Sequence, residues 1–239
     1  MTTTTDSTGR VPRQRPPRPA AVVAKLVAGA LVLWAIFVGL GELIRHFWMH
    51  SQLGHDDGRV DTFLAAHRTS TGRTASLVLV YLADTKTVIA ITALVIIGLY
   101  LARRRWREPL FLLAAVIGEV TTFVAVTSVV KRPRPPVPHL DVSPPTSSFP
   151  SGHTAAAVCL YGALALIGAA LLHRAVLRRL LWTLAVLVPV LVAAGRLYRG
   201  MHFPTDVLAG GLLGVLWLTW LTRVYPLGKD DARATTTRA

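Results

Sequence analysis

A single cysteine, Cys159, occurs in the whole chain, so no internal disulfide can form and no Cys-based zinc site can be built. It stands inside an apolar run, where its expected part is packing. Charged side chains are few: 16% of the residues against 52% hydrophobic, with a mean hydropathy of +0.49. Acidic residues are scarcest, 12 against 26 Lys and Arg, which leaves a net charge of +14. No nucleic-acid-binding motif goes with that charge, no internal repeat is evident, and the basic residues gather at the ends of apolar segments. The charge therefore reads as membrane topology and attraction to anionic lipid, and nucleic acid is not an expected partner.

What the chain has in quantity is apolar runs of about 20 residues, the length that crosses about 30 Å of hydrocarbon. Six spans are predicted, at 20–44, 85–102, 109–130, 152–172, 180–194 and 207–224. The expected fold is all-α, a six-span transmembrane helical bundle over 20–227. Tails at 1–19 and 228–239 have too little apolar surface to fold and are expected to be disordered. An even number of spans puts both tails on one side. Arg10, Arg13, Arg15, Arg18 and Lys25 lie at the start of the first span, Arg103, Arg104, Arg105 and Arg107 follow the second, and Arg174, Arg178 and Arg179 follow the fourth. By the positive-inside rule these face the cytoplasm, and the connections 46–84, 131–151 and 195–206 face outward. Within the first of these, 60–82 carries a pattern suggestive of a helix lying along the interface.

The other two outer connections carry residues with chemistry. Ser148-Phe149-Pro150-Ser151-Gly152-His153 ends a Pro-rich loop where an apolar helix begins. Ser151 is a natural N-cap, Gly152 lets backbone N–H groups come close to a ligand, and a helix start of this kind binds anions. His153, just inside it, can hand a proton to a leaving group. Farther on, His202 and Asp206 stand four apart across Pro204. A carboxylate at that spacing can fix the imidazole tautomer and leave the other ring nitrogen as a nucleophile or base. Arg196 can offer a planar fork of donors to phosphate oxygens. Lys131-Arg132-Pro133-Arg134-Pro135 adds cations that its prolines hold near the membrane surface. Singly, each has a plain reading as a capped helix, a satisfied interfacial histidine or a head-group anchor. Gathered on one face, they point to a phosphate cage and an active site at the extracytoplasmic membrane surface.

In order and spacing these residues resemble the phosphatidic acid phosphatase type 2 superfamily of membrane lipid phosphatases, which also includes soluble vanadium haloperoxidases and glucose-6-phosphatase. Three family motifs are Lys-x6-Arg-Pro, Pro-Ser-Gly-His and Ser-Arg-x5-His-x3-Asp. The second is complete at Pro150, Ser151, Gly152 and His153. The third is met at Arg196, His202 and Asp206, with Gly195 in its serine position. The first is met at Arg134 and Pro135, with Thr127 where the family has lysine; the resemblance covers 85–224. It implies that His202 attacks phosphorus to form a phosphohistidine while Asp206 orients its ring. It also implies that Arg134, Arg196, Ser151 and the Gly152 backbone hold the equatorial oxygens, and that His153 protonates the leaving oxygen and then activates water. Lys131, one helical turn beyond Thr127, or Arg132 would supply the missing cation. The implied reaction needs no metal and no other cofactor.

Other ionisable residues carry weaker expectations. His46, His50, His55, Asp56 and Asp57 straddle a span end and a polar loop, and a solvated loop is expected there rather than a metal site. Glu119 falls near the middle of the third span, where a protonated carboxyl hydrogen-bonded inside the bundle is expected, with a part in a substrate channel as the alternative. Lys131, Arg132, Arg134, Arg196 and Arg199 exceed what one phosphate monoester of about −1.5 to −2 charge needs. Hence the expected substrate is a polyprenyl diphosphate cut to the monophosphate, with phosphatidate or phosphatidylglycerophosphate as the alternative. A lipid head-group transporter or binding protein would use the same cations without the His202–Asp206 pair, and the spans disfavour a soluble haloperoxidase. The topology is open to test in intact cells with introduced cysteines: Leu140→Cys should react with an impermeant thiol reagent and Arg104→Cys and Arg178→Cys should not, whereas the reverse pattern inverts the orientation.

Overall fold

The computed structural model describes residues 19–47, 51–142 and 146–228. Among them the chain forms eight helices: α1 (Pro19–His46), α2 (Gln52–Ala66), α3 (Ser70–Tyr81), α4 (Thr85–Arg103), α5 (Arg107–Val129), α6 (Gly152–Leu171), α7 (Ala175–Tyr198) and α8 (Pro204–Val224). The described residues contain no strand. The two tails, apart from Pro19 and Gly228, and His50 lie outside the described residues. Six of the helices, α1 and α4 to α8, are long and apolar enough to cross a membrane.

The α7 span runs furthest beyond the apolar pattern. The α7 helix takes in Arg178 and Arg179 near its start and Arg196 near its end, beyond the predicted 180–194. Arg and Leu are good helix formers, and a long cationic side chain can lie along the helix and reach the interface, so charge does not end the helix as it ends the hydropathy. Arg196 therefore sits on a rigid helix end and not in the 195–206 connection. The α2 and α3 helices fill most of the 46–84 connection, where one helix over 60–82 was expected.

Large apolar side chains cover the outside of the spans, among them Ile36, Leu94, Ile97, Val190 and Leu208, while Phe37, Phe111, Leu160 and Leu213 are fully buried. Apolar surface on both sides suits a bundle whose solvent is lipid. Contact between helices then depends on close approach, for which small residues serve. The central helix α6, packed against α5, α7 and α8, buries Ala155, Ala157, Gly162, Ala163, Ala165 and Gly168. Trp217 of α8 lies over Gly118 of α5, and its Nε1 donates to the carbonyls of Ala114 at 3.2 Å and Ala115 at 3.0 Å. Glu119 is buried, but its Oε1 has no hydrogen-bond partner among the described residues, so the expected internal hydrogen bond is not made there.

The alternation of the spans brings the end of α5, the start of α6, the end of α7 and the start of α8 to one end of the bundle, with α2 and α3. The arginine clusters at 103–107 and 174–179 fall at the other. At the motif end, α6 and α8 meet where Gly210 faces the Ser151 carbonyl, and a Cβ there would collide with it. Gly210→Val should therefore cost about 1–3 kcal/mol of stability by overpacking. Thermal unfolding in detergent measures this, and an unchanged midpoint would contradict the close approach.

Candidate active site

The turn from α7 to α8 is short and sharply closed. Gly200 takes φ 73°, a conformation that L side chains rarely adopt, and its N–H donates to the Leu197 carbonyl at 2.9 Å. Met201 N–H reaches the Arg196 carbonyl at 3.1 Å, and the chain turns inward so that Met201 and His202 are buried. Pro204 opens α8, and Asp206 closes its first turn by accepting from Phe203 N–H at 2.9 Å. The Asp206 carbonyl accepts from Ser151 N–H at 2.9 Å, which fastens the start of α6 to the start of α8.

His202 Nδ1 lies 2.7 Å from the Ser148 carbonyl oxygen and 3.8 Å from Asp206 Oδ2. A carbonyl oxygen can only accept, so Nδ1 carries the hydrogen and Nε2 keeps its lone pair. The partner that sets the tautomer is thus a backbone carbonyl. Asp206, expected to hold the ring, acts on it as a nearby charge, because its oxygens are engaged by Phe203 N–H and by Arg132. Burial pushes the imidazole below its ordinary pKa, and the Asp206 carboxylate offsets that only in part, so the ring is neutral near pH 7.

Arg132 is not a free cation of the phosphate cage. Its side chain is 1% exposed, with Nη1 paired to Asp206 Oδ1 and Nη2 to Asp57 Oδ2 at 3.1 Å. Its Nη1 also donates to Thr205 Oγ1 at 2.7 Å, and its guanidinium lies 4.2 Å over the Phe203 ring. Asp57, expected in a solvated loop, is likewise a buried part of this cluster: α2 carries it under the start of α8, where it accepts from Thr205 N–H at 3.2 Å and from the Thr205 hydroxyl. One turn on, Asp61 is 1% exposed and neither of its oxygens has a hydrogen-bond partner among the described residues. Its carboxyl is pushed up to about 8 by burial and by the Asp57 and Asp206 carboxylates. His46, His55 and Asp56 are exposed, as expected; Asp56 pairs with Arg59 at 2.8 Å.

Two further arginines, Arg134 and Arg196, lie within electrostatic reach of both histidines. Arg134 gives Nη1 to the Met201 carbonyl at 2.7 Å, and Arg196 gives Nη1 to Asp141 Oδ2 at 3.1 Å. The Nε of each, like that of Arg132, is buried with no hydrogen-bond partner among the described residues. His153 is half-buried, makes no ring hydrogen bond among the described residues, and lies within electrostatic reach of Arg196, His202, Asp141 and Arg134. Ser151 is buried, and its hydroxyl pairs with that of Thr154 at 3.0 Å where a helix cap was expected, so the first N–H groups of α6 have no side-chain cap. Gly152 lies so close to Phe123 that a Cβ would sit 2.6 Å from its ring.

The remaining cations divide. Lys131 is exposed and makes no hydrogen bond or ion pair among the described residues. The Thr127 hydroxyl bonds back to the Val124 carbonyl at 3.0 Å and brings no charge to the site. Arg199 is spent: its Nε lies 2.8 Å from both Asp141 oxygens, and its Nη1 lies 3.2 Å from the Arg73 carbonyl and from the Ser76 hydroxyl of α3. Asp141 itself would be raised by burial, but the hydrogen bonds and charge of Arg199, with the charge of Arg196, hold it below the usual carboxylate range. The residues that escaped the sequence reading are thus Asp57, Asp61, Asp141 and the Ser148 carbonyl. Only the first two left a signal, acids four apart at helical spacing.

A family model described as PAP2 superfamily matches residues 108–229, just over half of the chain. An undecaprenyl-diphosphatase of Sulfolobus acidocaldarius is 34% identical over 117 residues, which are 47% of this chain and 50% of that protein. A phosphatidylglycerophosphatase B of Bacillus subtilis is 34% identical over 122 residues, 50% of this chain and 58% of that one. The matches thus span between half and three-fifths of these curated relatives. The crystal structure of a transmembrane PAP2-type phosphatidylglycerolphosphate phosphatase from Bacillus subtilis superposes with a TM-score of 0.68 at 22% identity, over 84% of this chain and 94% of that chain, and so shares the fold. The family match takes in every motif residue from Arg134 to Asp206, and the chain belongs to the PAP2 superfamily.

Proposed function

We propose that the chain is an integral membrane phosphatase that removes phosphate from a lipid at the extracytoplasmic surface through a phosphohistidine. The observation that carries this is a buried, neutral His202 with Nδ1 held and Nε2 free, beside Arg134 and Arg196, whose buried Nε donors, like that of Arg132, lack partners among the described residues. Orphaned buried donors are costly, and an anion's oxygens would answer both. A phosphoryl group there would also meet the uncapped first turn of α6.

In this reading His202 Nε2 attacks phosphorus, the bond to the leaving oxygen breaks, and His153 gives that oxygen a proton. The transferred group's charge falls on Arg134, Arg196 and the α6 N–H groups, which are in place before the reaction and need no rearrangement. The ring becomes cationic as the N–P bond forms, and Asp206 at 3.8 Å stabilises that charge while Ser148 keeps the ring oriented. His153 then takes a proton from water, which attacks phosphorus and frees His202.

For substrate we put polyprenyl diphosphate first and phosphatidylglycerophosphate second, the classes after which the relatives are named. Of the five cations that argued for a diphosphate, Arg132 and Arg199 are committed to internal carboxylates. The argument now rests on Lys131 as a cation for the second phosphate, and the commitment of the other two favours the monoester. Comparing kcat/KM for both lipids in matched micelles decides between them. A diphosphate enzyme should give a ratio well above one that falls in Lys131→Ala, and a ratio of one or below would favour the phosphatidylglycerophosphate reading.

Mutation separates the two histidines. His202→Ala should lose turnover by about 10⁴-fold or more and form no phosphoenzyme. His153→Ala should lose about 10²–10⁴-fold on lipid substrates yet still be phosphorylated by a substrate with a good leaving group. An acid-labile phosphoenzyme that persists in His202→Ala would exclude His202 as nucleophile. Because burial lowers the His202 pKa, the neutral ring persists to lower pH than a free imidazole. The acid limb of kcat/KM assigned to it should lie below about 6.5.

A further inference from the structure

Arg132 touches both groups that orient His202. Its guanidinium holds Asp206 Oδ1, and its carbonyl accepts from Ser148 N–H at 3.0 Å, which places the peptide whose own carbonyl holds His202 Nδ1. Its N–H in turn donates to Ser147 Oγ at 3.2 Å. The guanidinium has no room to swing, lying over Phe203 with its far nitrogen on Asp57. Asp57 accepts twice from Thr205, so α2 caps α8 and anchors Arg132 with one carboxylate. That helix, Gln52–Ala66, lies outside the residues the family model matches.

We propose that Arg132 is a positioning residue for His202, and that Asp57 on α2 is the anchor that keeps it in register, so that a helix outside the matched family region controls the nucleophile. This rests on His202 being the nucleophile of the reaction proposed above. Asp57 and Asp206 compete for one guanidinium, and so the charge left on Asp206, and the field it exerts on His202, depends on α2. The charged and titratable groups facing His202 are Asp206 from α8, Arg196 from α7, Arg134 from the preceding loop and His153 from α6; Asp61 of α2 faces Arg132. Both terminal nitrogens of Arg132 are held by carboxylates, Nη1 by Asp206 and Nη2 by Asp57.

The test uses purified full-length protein with Asp57→Asn, Arg132→Lys and Arg132→Gln, measuring kcat, KM, the acid limb of kcat/KM and thermal unfolding. Asp57→Asn keeps shape and hydrogen bonding but removes the competing charge. It should lower kcat roughly tenfold, the kinetic equivalent of one charge-assisted hydrogen bond, with KM little changed. It should also move the acid limb to lower pH, because Arg132 then neutralises Asp206 more fully. Arg132→Gln should lower kcat by about 100-fold and move the limb the other way, since Asp206 loses its cation. Arg132→Lys should recover only part, because one ammonium does not bridge two carboxylates as a fork does. A raised KM with unchanged kcat in Arg132→Gln would make Arg132 a phosphate ligand and overturn the proposal, as would acid limbs that stay put in Asp57→Asn while the protein remains folded. If Arg132→Gln does not fold, Asp57→Asn decides alone. The two readings fail separately: a phosphoenzyme in His202→Ala defeats the nucleophile assignment, whereas an active wild type with an indifferent Asp57→Asn defeats only this one.

Discussion

Asp206 is a fully buried carboxylate at the mouth of a membrane bundle, and a charge in that position persists only if its oxygens are answered. Here they are: Oδ1 by Arg132, Oδ2 by Phe203 N–H, with His202 beyond at 3.8 Å. Its backbone carbonyl holds Ser151 N–H as well. Four segments therefore converge on one residue: the loop after α5, the starts of α6 and α8, and, through Arg132, α2. Removing one member of such a cluster leaves a buried charge without a partner, at a cost of about 3–5 kcal/mol. Site geometry and local stability are in this way the same property.

Net charge is a poor guide to what the site offers an anion. The chain carries a large positive excess, yet Arg132 and Arg199 are bound to Asp57, Asp206 and Asp141. What remains unpartnered there among the described residues is directional and small in number, one Nε each from Arg132, Arg134 and Arg196. A guanidinium held by one nitrogen on a protein acceptor keeps the others fixed in direction, which favours preorganisation over charge density. The Met201 carbonyl does this for Arg134, and Asp141 does it for Arg196.

The bundle beneath supports this by packing closely. Alanine and glycine on α6, and glycines under Trp217 and against Ser151, let helices approach without a hydrophobic drive from water. The contact of Gly210 with Ser151 is the one that matters most for the site, because it sets how near the first turns of α6 and α8 can come. The motif serine and the motif aspartate are held together from below by a residue that belongs to neither motif.

The sequence by itself determined the membrane class, six spans, and that His153, Arg196, His202 and Asp206 gather at one end of the bundle. It could do so because hydropathy and motif spacing are local, and each can be read within a window of a few turns. Tertiary structure alone decided how those residues are used. That the Ser148 carbonyl holds His202 depends on a backbone atom, which no residue type announces. That Asp57 is buried depends on α2 lying against α8; in the chain it is a polar residue among polar residues, 148 positions from the Thr205 it caps. Arg132 and Arg134 are two apart and read alike, yet one ends on two carboxylates and the other on the Met201 carbonyl. Burial and partner choice are set by what lies across space, and a one-dimensional pattern holds no record of it.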